Sequence, residues 1–159
     1  MIEIRPYEAS LFDAVVRLSL RAWAPVFESI ESVLDPEVYR EHYPDWRLSQ
    51  SEAVAAVCAD PAASVWIAIA DGAPAGFVAL KFHEAEHMGE IYMIAVDPDF
   101  QRRGIARALT EHAMKQFREA GMTTAMVETG GDPGHEPARR TYEAAGFQAF
   151  PSVRYFRKV

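Results

Sequence analysis

The segment from residue 90 to residue 121 constrains the fold most, because it combines a strand pattern, a glycine-containing loop and a helix pattern in direct succession. Residues 90–96 are mostly β-branched and aromatic and end at Asp97-Pro98, a turn signal, which predicts a buried strand. From residue 106 to 120, apolar residues recur at spacings of three and four while charged residues take the other face. That spacing predicts an amphipathic helix that stops at Gly121.

The loop between strand and helix, Gln-Arg-Arg-Gly-Ile-Ala at positions 101–106, predicts an anion-binding site. Free backbone N–H groups and the positive end of the helix dipole converge at such a helix N-terminus. Gly104 permits close approach of the backbone to a ligand, and Arg102, Arg103 and Arg107 add positive charge. The loop and helix by themselves would suit any phosphate-bearing ligand.

The remaining pattern predicts one mixed α/β domain that covers residues 1–159. The first helix is expected to end near Trp23 because Pro25 follows, and the third is expected to start at the capping box Ser49-Gln50-Ser51-Glu52. The expected strands are 2–7, 64–70, 76–82, 89–96, 123–129 and 147–157, and the expected helices are 10–23, 35–44, 50–59, 106–120 and 136–145.

Composition excludes several classes of protein. A net charge of −7 argues against a general nucleic-acid binder, which needs a basic surface. The single cysteine, Cys58, cannot form an internal disulfide and suits a reducing compartment. Because the N-terminus lacks the apolar region of a signal peptide and no stretch reaches membrane-spanning length, we expect a cytoplasmic protein without a membrane partner.

Two motifs, which follow one another along the chain, resemble motifs A and B of the GNAT superfamily of N-acetyltransferases. Gln101-x-x-Gly104-x-Ala106 resembles the Q/R-x-x-G-x-G/A loop of motif A, and residues 138–147 resemble motif B, A-x-x-x-Y-x-x-x-G-F, with its tyrosine at Tyr142. The motifs lie about forty residues apart, and the element order over nearly the whole chain also resembles the family. The resemblance implies a single-domain GNAT-like α/β fold: a mixed, mostly antiparallel central sheet with a splayed parallel strand pair, flanked by helices.

The same resemblance implies acetyl-CoA as co-substrate and no metal. In this family the cofactor lies where two parallel strands splay apart, which here are the strands at 90–96 and 123–129. Its pantetheine arm would pair with main-chain groups of the first strand, and its pyrophosphate would sit on the N–H groups of the loop. The cofactor-binding residues implied in this way are Ile94, Ala95, Val96, Arg102, Arg103, Gly104, Ile105, Ala106 and Arg107.

The implied reaction is direct attack of a primary amine on the thioester in a ternary complex. Because an ammonium has no lone pair, a general base is needed, and Glu90 is the only carboxylate in the 89–96 strand and lies where several family members carry their base. Tyr142 occupies the family's position for the acid that protonates the departing thiolate. The alternatives are a solvated Glu90 with a water wire as the base, and a Tyr142 that is only a core aromatic. His135 stands where the family often has Asn.

The acceptor is expected to be a small-molecule or peptide amine. Trp23 and Phe27, in the aromatic-rich N-terminal third, are candidate substrate-pocket residues, with core packing as the alternative. The acidic residues Glu84, Glu86 and Asp99 favour a cationic amine. Dimers are frequent in the family, so the resemblance also makes a homodimer an expected assembly.

Two other functions stay open from the sequence. His83-Glu84-Ala85-Glu86-His87 satisfies the H-E-x-x-H pattern of zinc hydrolases, in which a helix presents both histidines to the metal. A hairpin connection is the simpler interpretation of that segment. The second alternative is a sensor that binds acyl-CoA without turnover, against which the presence of both Glu90 and Tyr142 argues.

Overall fold

The computed structural model describes residues 1–159 and contains five strands and five α-helices. The strands are β1 Ile2–Pro6, β2 Ser64–Ala70, β3 Ala73–His83, β4 Met88–Val96 and β5 Thr124–Val127. The helices are α1 Phe12–Val33, α2 Pro36–His42, α3 Trp46–Ala59, α4 Ile105–Glu119 and α5 Glu136–Ala144. No helix combines the length and apolar character that crossing a bilayer requires.

All five strands form one sheet in the order β1-β2-β3-β4-β5. The pairs β1–β2, β2–β3 and β3–β4 are antiparallel, whereas β4 and β5 run parallel. The parallel pairing covers only Met88↔Thr124 to Ile91↔Val127, and β4 continues to Val96 without a partner on that side. The structure therefore confirms the predicted mixed sheet with a splayed parallel pair.

Helices cover both faces of the sheet and create two apolar clusters. On one face Leu109 and Phe117 of α4 pack with Leu80 and Ile91 of the sheet. On the other face α1 and α3 supply a second cluster around Phe77. The strand alternation that produces these two faces also determines which residues of β4 and β5 point toward α4 and which toward α1.

The predictions for the first and third helices are each wrong at one end. Helix α1 continues through Pro25 to Val33, although proline removes one backbone hydrogen bond in a helix interior. Packing of its second half, including stacking of Phe27 on Trp46, outweighs that cost. Helix α3 begins at Trp46 instead of residue 50, because Asp45 accepts a hydrogen bond from the Leu48 amide at 3.0 Å and caps it earlier.

A tight turn follows β2, whereas the predicted strand at 147–157 is absent. Asp71 and Gly72 both have positive φ, as a tight two-residue hairpin requires. Residues 145–159 form no strand, and their aromatic side chains Phe150 and Tyr155 are exposed. The neighbouring edge strand β5 has only four residues, and Pro151 cannot donate a ladder hydrogen bond, so this segment finds no pairing partner.

Candidate active site

An open cleft of about 1300 Å³ lies where β4 and β5 separate. Its walls come from α1, β4, one face of α4, the end of β5 and α5. The predicted cofactor-binding residues that line it are Ile94, Ala95, Val96, Arg102, Gly104, Ile105, Ala106 and Arg107.

The loop before α4 presents an uninterrupted row of hydrogen-bond donors. The six backbone N–H groups of residues 102–107 make no hydrogen bond within the protein; the first helical bond runs from the Ala108 N–H to the Gly104 carbonyl at 2.9 Å. Arg102 and Gly104 both have positive φ, 59° and 82°, which turns the chain tightly into the helix. Six free donors at a helix N-terminus form a site for an anion with several oxygens.

The three predicted arginines differ in their surroundings. Arg102 lines the cleft and pairs with no carboxylate, whereas Arg107 lines it and pairs with Glu111 at 2.7 Å. Arg103 does not line the cleft, because its guanidinium donates to Asp71 at 2.7 Å and lies over the Phe100 ring. Arg102 is therefore the cation of this loop that is free to meet a ligand.

The exposed main chain of β4 forms the floor of the cleft. Beyond Ile91 no strand pairs with this edge, so the backbone groups of β4 that point away from β3 are left without a strand partner along the cleft. Farther along, the Val96 carbonyl accepts a hydrogen bond from Gln101 Nε2 at 3.2 Å, which joins the strand end to the anion loop. An extended ligand with amide groups could pair with this edge as an added strand would.

Tyr142 lies on the α5 wall of the cleft and is nearly buried, with 7% of its surface exposed. Its ring packs edge-on against Phe147, with the ring centroids 6.0 Å apart. Burial raises the pKa of the Tyr142 phenol to about 12. The group is therefore protonated at neutral pH and can donate a proton or a hydrogen bond into the cleft.

Glu90 lies beside the cleft but is not part of its lining. Its neighbours Gly89 and Ile91 point toward α4, so the Glu90 side chain points to the α1 face of the sheet. There it accepts a hydrogen bond from His83 Nε2 at 2.6 Å, and 18% of the side chain is exposed. Tyr142 thus lies on the cleft wall. Glu90 lies on β4 one residue before Ile91, the first residue of that strand in the lining.

The two predicted substrate residues are separated by the structure. Trp23 lines the cleft from α1 and packs edge-on against Phe77, with centroids 6.3 Å apart. Phe27 instead stacks on Trp46 at 4.5 Å with an interplanar angle of 11°, away from the cleft lining. Val26, which the sequence did not single out, takes the cleft-facing position on that part of α1.

The H-E-x-x-H segment does not form the helix that zinc binding requires. Strand β3 ends at His83, a 3-10 turn covers Glu84–Glu86, and His87 has a left-handed backbone. The two histidines are thus separated by a hairpin turn, and His83 bonds Glu90. No group of three or more histidine, cysteine or acidic side chains is placed to hold a metal ion.

Comparison with known proteins identifies the family. The model of the acetyltransferase (GNAT) family matches residues 23–147. The chain belongs to the GNAT acetyltransferase family. The matched range contains the splayed strands, the anion loop and Tyr142, and every residue of the cleft lining except Ala22.

Individual relatives are similar in sequence to most of this chain. A mycothiol acetyltransferase of Sanguibacter keddieii is 34% identical over 139 residues, which cover 82% of this chain and 43% of that protein. The chain thus spans less than half the length of the curated relatives it matches.

Solved GNAT structures confirm the fold. The ribosomal-protein-S18-alanine N-acetyltransferase from Escherichia coli superposes with a TM-score of 0.69 at 22% identity, covering 95% of this chain and 80% of that one. The PaiA N-acetyltransferase from Thermoplasma acidophilum, in complex with coenzyme A, gives 0.70 at 17% identity, covering 96% and 93%.

Helix α1 makes two polar contacts with loops far along the chain that the sequence did not reveal. Nη1 of Arg21 on α1 donates to both carboxylate oxygens of Asp97, at 2.7 and 2.8 Å, just after β4. Asp132 accepts hydrogen bonds from Ser29 of α1 and from His135 Nδ1, which lies in the cleft lining. Partners that lie 76 and 103 residues apart leave no local sequence pattern. The one local signal is the Asp132-Pro133 pair, which is typical of a turn.

Proposed function

We propose that this chain is an acetyl-CoA-dependent N-acetyltransferase that acts on a primary amine, and that residues 1–159 work as one catalytic domain. The observation that carries the proposal is the meeting of three features around one cleft: six unpaired N–H groups, the free edge of β4 and the buried Tyr142 phenol. The unpaired N–H groups suit a pyrophosphate, and the free edge of β4 suits an arm with amide groups. The Tyr142 phenol can protonate a leaving thiolate. The coenzyme A in the PaiA structure supports the same assignment.

The residues that would hold acetyl-CoA follow from these features. Backbone N–H groups of residues 102–107 and the Arg102 side chain would bind the pyrophosphate, and main-chain groups of Ile94 and Ala95 would pair with the pantetheine arm. Arg103 belongs to the loop through its backbone N–H, since its side chain is occupied by Asp71. Acetyl-CoA supplies the thioester carbonyl that the amine attacks.

Glu90 and Tyr142 are the proposed proton-transfer groups. Glu90 accepts a proton from the ammonium of the acceptor, which leaves a neutral amine with a lone pair. After the new C–N bond forms, Tyr142 donates its proton to the sulfur as the C–S bond breaks. The resulting phenolate takes the surplus proton from the amide nitrogen, so the phenol is restored and only the Glu90 proton goes to solvent.

The acceptor is proposed from the shape and charge of the α1 side of the cleft. The names of the relatives point to different acceptors, mycothiol in one case and the alanine of a ribosomal protein in another. Trp23 and Val26 give this side an apolar wall, and Glu128 gives it a carboxylate. A small amine with an apolar stem fits that combination.

The experiment is an assay of CoA release with acetyl-CoA and a panel of amines. Tyr142→Phe should lower the rate about ten- to a thousandfold, within the range of general acid catalysis. Glu90→Gln should lower it most at low pH, where deprotonation of the amine limits the rate. Tyr155→Phe and Glu86→Gln are matched controls, because both side chains are exposed and outside the cleft.

Two results would contradict these assignments. Wild-type rates in both the Tyr142→Phe and Glu90→Gln variants across the pH range would remove the proposed acid and base. Tight binding of acetyl-CoA without turnover of any amine would favour the sensor function instead.

A further inference from the structure

The glutamates of the cleft are not equivalent. Three of them line it, and two are neutralised: Glu111 by Arg107 at 2.7 Å and Glu136 by Arg140 at 2.6 Å. Glu128 is exposed and pairs with no cation in the structure. It is therefore the one cleft carboxylate whose charge is available to a ligand.

Glu128 lies at the point where the two parallel strands separate. It follows Val127, which forms the last parallel pair with Ile91. Ala125 and Val127 pack against the α4 side of the sheet, so continuing the alternation places Glu128 on the α1 side. That is the side from which Trp23 and Val26 close the cleft, away from the arginines of the anion loop.

Glu90 points to the same side of the sheet from the neighbouring strand. It is in register with Met126, two residues before Glu128. In ideally paired strands, which lie about 4.8 Å apart and rise about 3.3 Å per residue, the Cα atoms of two residues in these positions are about 8 Å apart. Because pairing ends at Val127, the Cα atoms of Glu90 and Glu128 are at least about that far apart. Glu128 lines the cleft and is free of a cation, whereas Glu90 lies just beside the lining and is hydrogen-bonded to His83.

We propose that Glu128 binds a second ammonium group of the acceptor, so that the preferred substrates are diamines or polyamines with an apolar stem. This inference rests on the proposed function. The amine near Glu90 loses its proton and reacts, while the amine on Glu128 stays protonated and fixes the orientation of the acceptor. The apolar wall of Trp23 and Val26 would contact the carbon chain between the two nitrogens.

The test compares cadaverine, pentylamine and aminopentanol as acceptors. The three share a five-carbon stem and a reactive primary amine, but only cadaverine has a second ammonium. We expect the wild-type protein to have the lowest KM for cadaverine. Glu128→Gln should raise that KM about fivefold, as expected for a partly exposed ion pair, with kcat and the KM of pentylamine within about twofold of the wild-type values.

Salt and a control variant separate this role from a structural one. The KM for cadaverine should rise with ionic strength in the wild type and lose most of that dependence in Glu128→Gln. Glu143→Gln removes the same charge from the exposed face of α5, outside the cleft lining, and should change neither KM.

An equal rise of KM for cadaverine and pentylamine in Glu128→Gln would overturn the inference. So would equal wild-type KM values for the three acceptors, although acetylation of pentylamine would still support the proposed transferase. No acetylation of any of the three amines would overturn the inference and count against the proposed function as well.

Discussion

The Ser29 hydroxyl on α1 donates a 2.7 Å hydrogen bond to the carboxylate of Asp132, which lies 103 residues later in the loop before α5. Asp132 also accepts from the Gly134 amide at 3.2 Å and from His135 Nδ1. Burial acts to raise the pKa of Asp132, but the hydrogen bonds from Ser29 and His135 outweigh it and lower that pKa below its ordinary value. One ionised side chain thus connects two walls of the cleft.

Removing this charge should destabilise the fold. Asp132→Asn should lower the free energy of unfolding at neutral pH by about 1.5–3 kcal/mol, the range for hydrogen bonds to a charged group. Ser29→Ala should cost about 1 kcal/mol, and Ser32→Ala is its control, because that hydroxyl bonds only a carbonyl of its own helix. Urea unfolding measures all three variants.

The pH dependence of that stability has a defined sign. Since the folded-state pKa of Asp132 is depressed, its contribution is present above the unfolded-state pKa and disappears as the pH falls through the folded-state pKa. The difference between wild type and Asp132→Asn should therefore shrink on acidification. A difference that is constant from neutral pH into the acid transition would contradict the depressed pKa.

Tyr142 should influence stability at the other end of the pH range. Its pKa is raised to about 12 by burial, whereas an unfolded tyrosine ionises near 10. The stabilisation that the Tyr142 phenol contributes is complete below the unfolded-state pKa. It is lost as the pH rises toward the folded-state pKa. Relative to Tyr142→Phe, the wild type should lose up to about 1.4 kcal/mol of stability per pH unit in that window. Equal slopes in the two proteins would show that the phenol ionises as freely as in the unfolded chain.

The two adjacent arginines of the anion loop provide a matched pair. Arg102→Ala should raise the Kd for coenzyme A about tenfold at low salt, because its guanidinium is unpaired and lines the cleft. Arg103→Ala should change it by less than about twofold, since Asp71 already occupies that side chain. Calorimetric titration with coenzyme A measures the Kd of both variants. A larger rise of the Kd in Arg103→Ala than in Arg102→Ala would contradict the proposed position of the phosphate groups.

Gly89 should be intolerant of any side chain. A Cβ built there would lie 2.2 Å from the Phe117 ring of α4, so Gly89→Ala has to displace a core residue and should cost about 1–3 kcal/mol. Gly131→Ala is the control, because nothing lies within 4 Å of its Cβ position. Phe117→Leu, which removes the obstructing ring edge, should recover part of the loss when combined with Gly89→Ala. Thermal unfolding of the four variants checks this, and equal stability of Gly89→Ala and wild type would contradict the packing.

The parts of the fold that local chemistry determines were predictable from the sequence. The β-branched and aromatic runs of β2 and β4, the Asp71-Gly72 turn and the apolar spacing of three and four residues in α4 act within a few residues. Each of these elements lies near the position that the sequence indicates. The backbone cradle of residues 102–107 was also predictable, because it needs only a strand, a glycine and a helix N-terminus in succession.

What tertiary packing determines was not predictable. The continuation of α1 past Pro25 depends on contacts with distant residues, and the orientation of Arg103 depends on Asp71, 32 positions earlier. The local pattern likewise could not indicate that His83 would bond Glu90 or that Phe27 would turn away from the cleft onto Trp46. Such pairings follow from the three-dimensional register of elements, which a one-dimensional pattern does not encode.

The most direct test of direct acetyl transfer in a ternary complex is a single mass-spectrometric experiment on the wild-type protein with acetyl-CoA, with and without cadaverine. With the amine present, we predict acetylated amine and free CoA in equal amounts. Without it, we predict an unchanged protein mass and intact acetyl-CoA. An acetyl group on the protein in the absence of amine, or acetyl-CoA that stays intact with every amine supplied, would contradict the account.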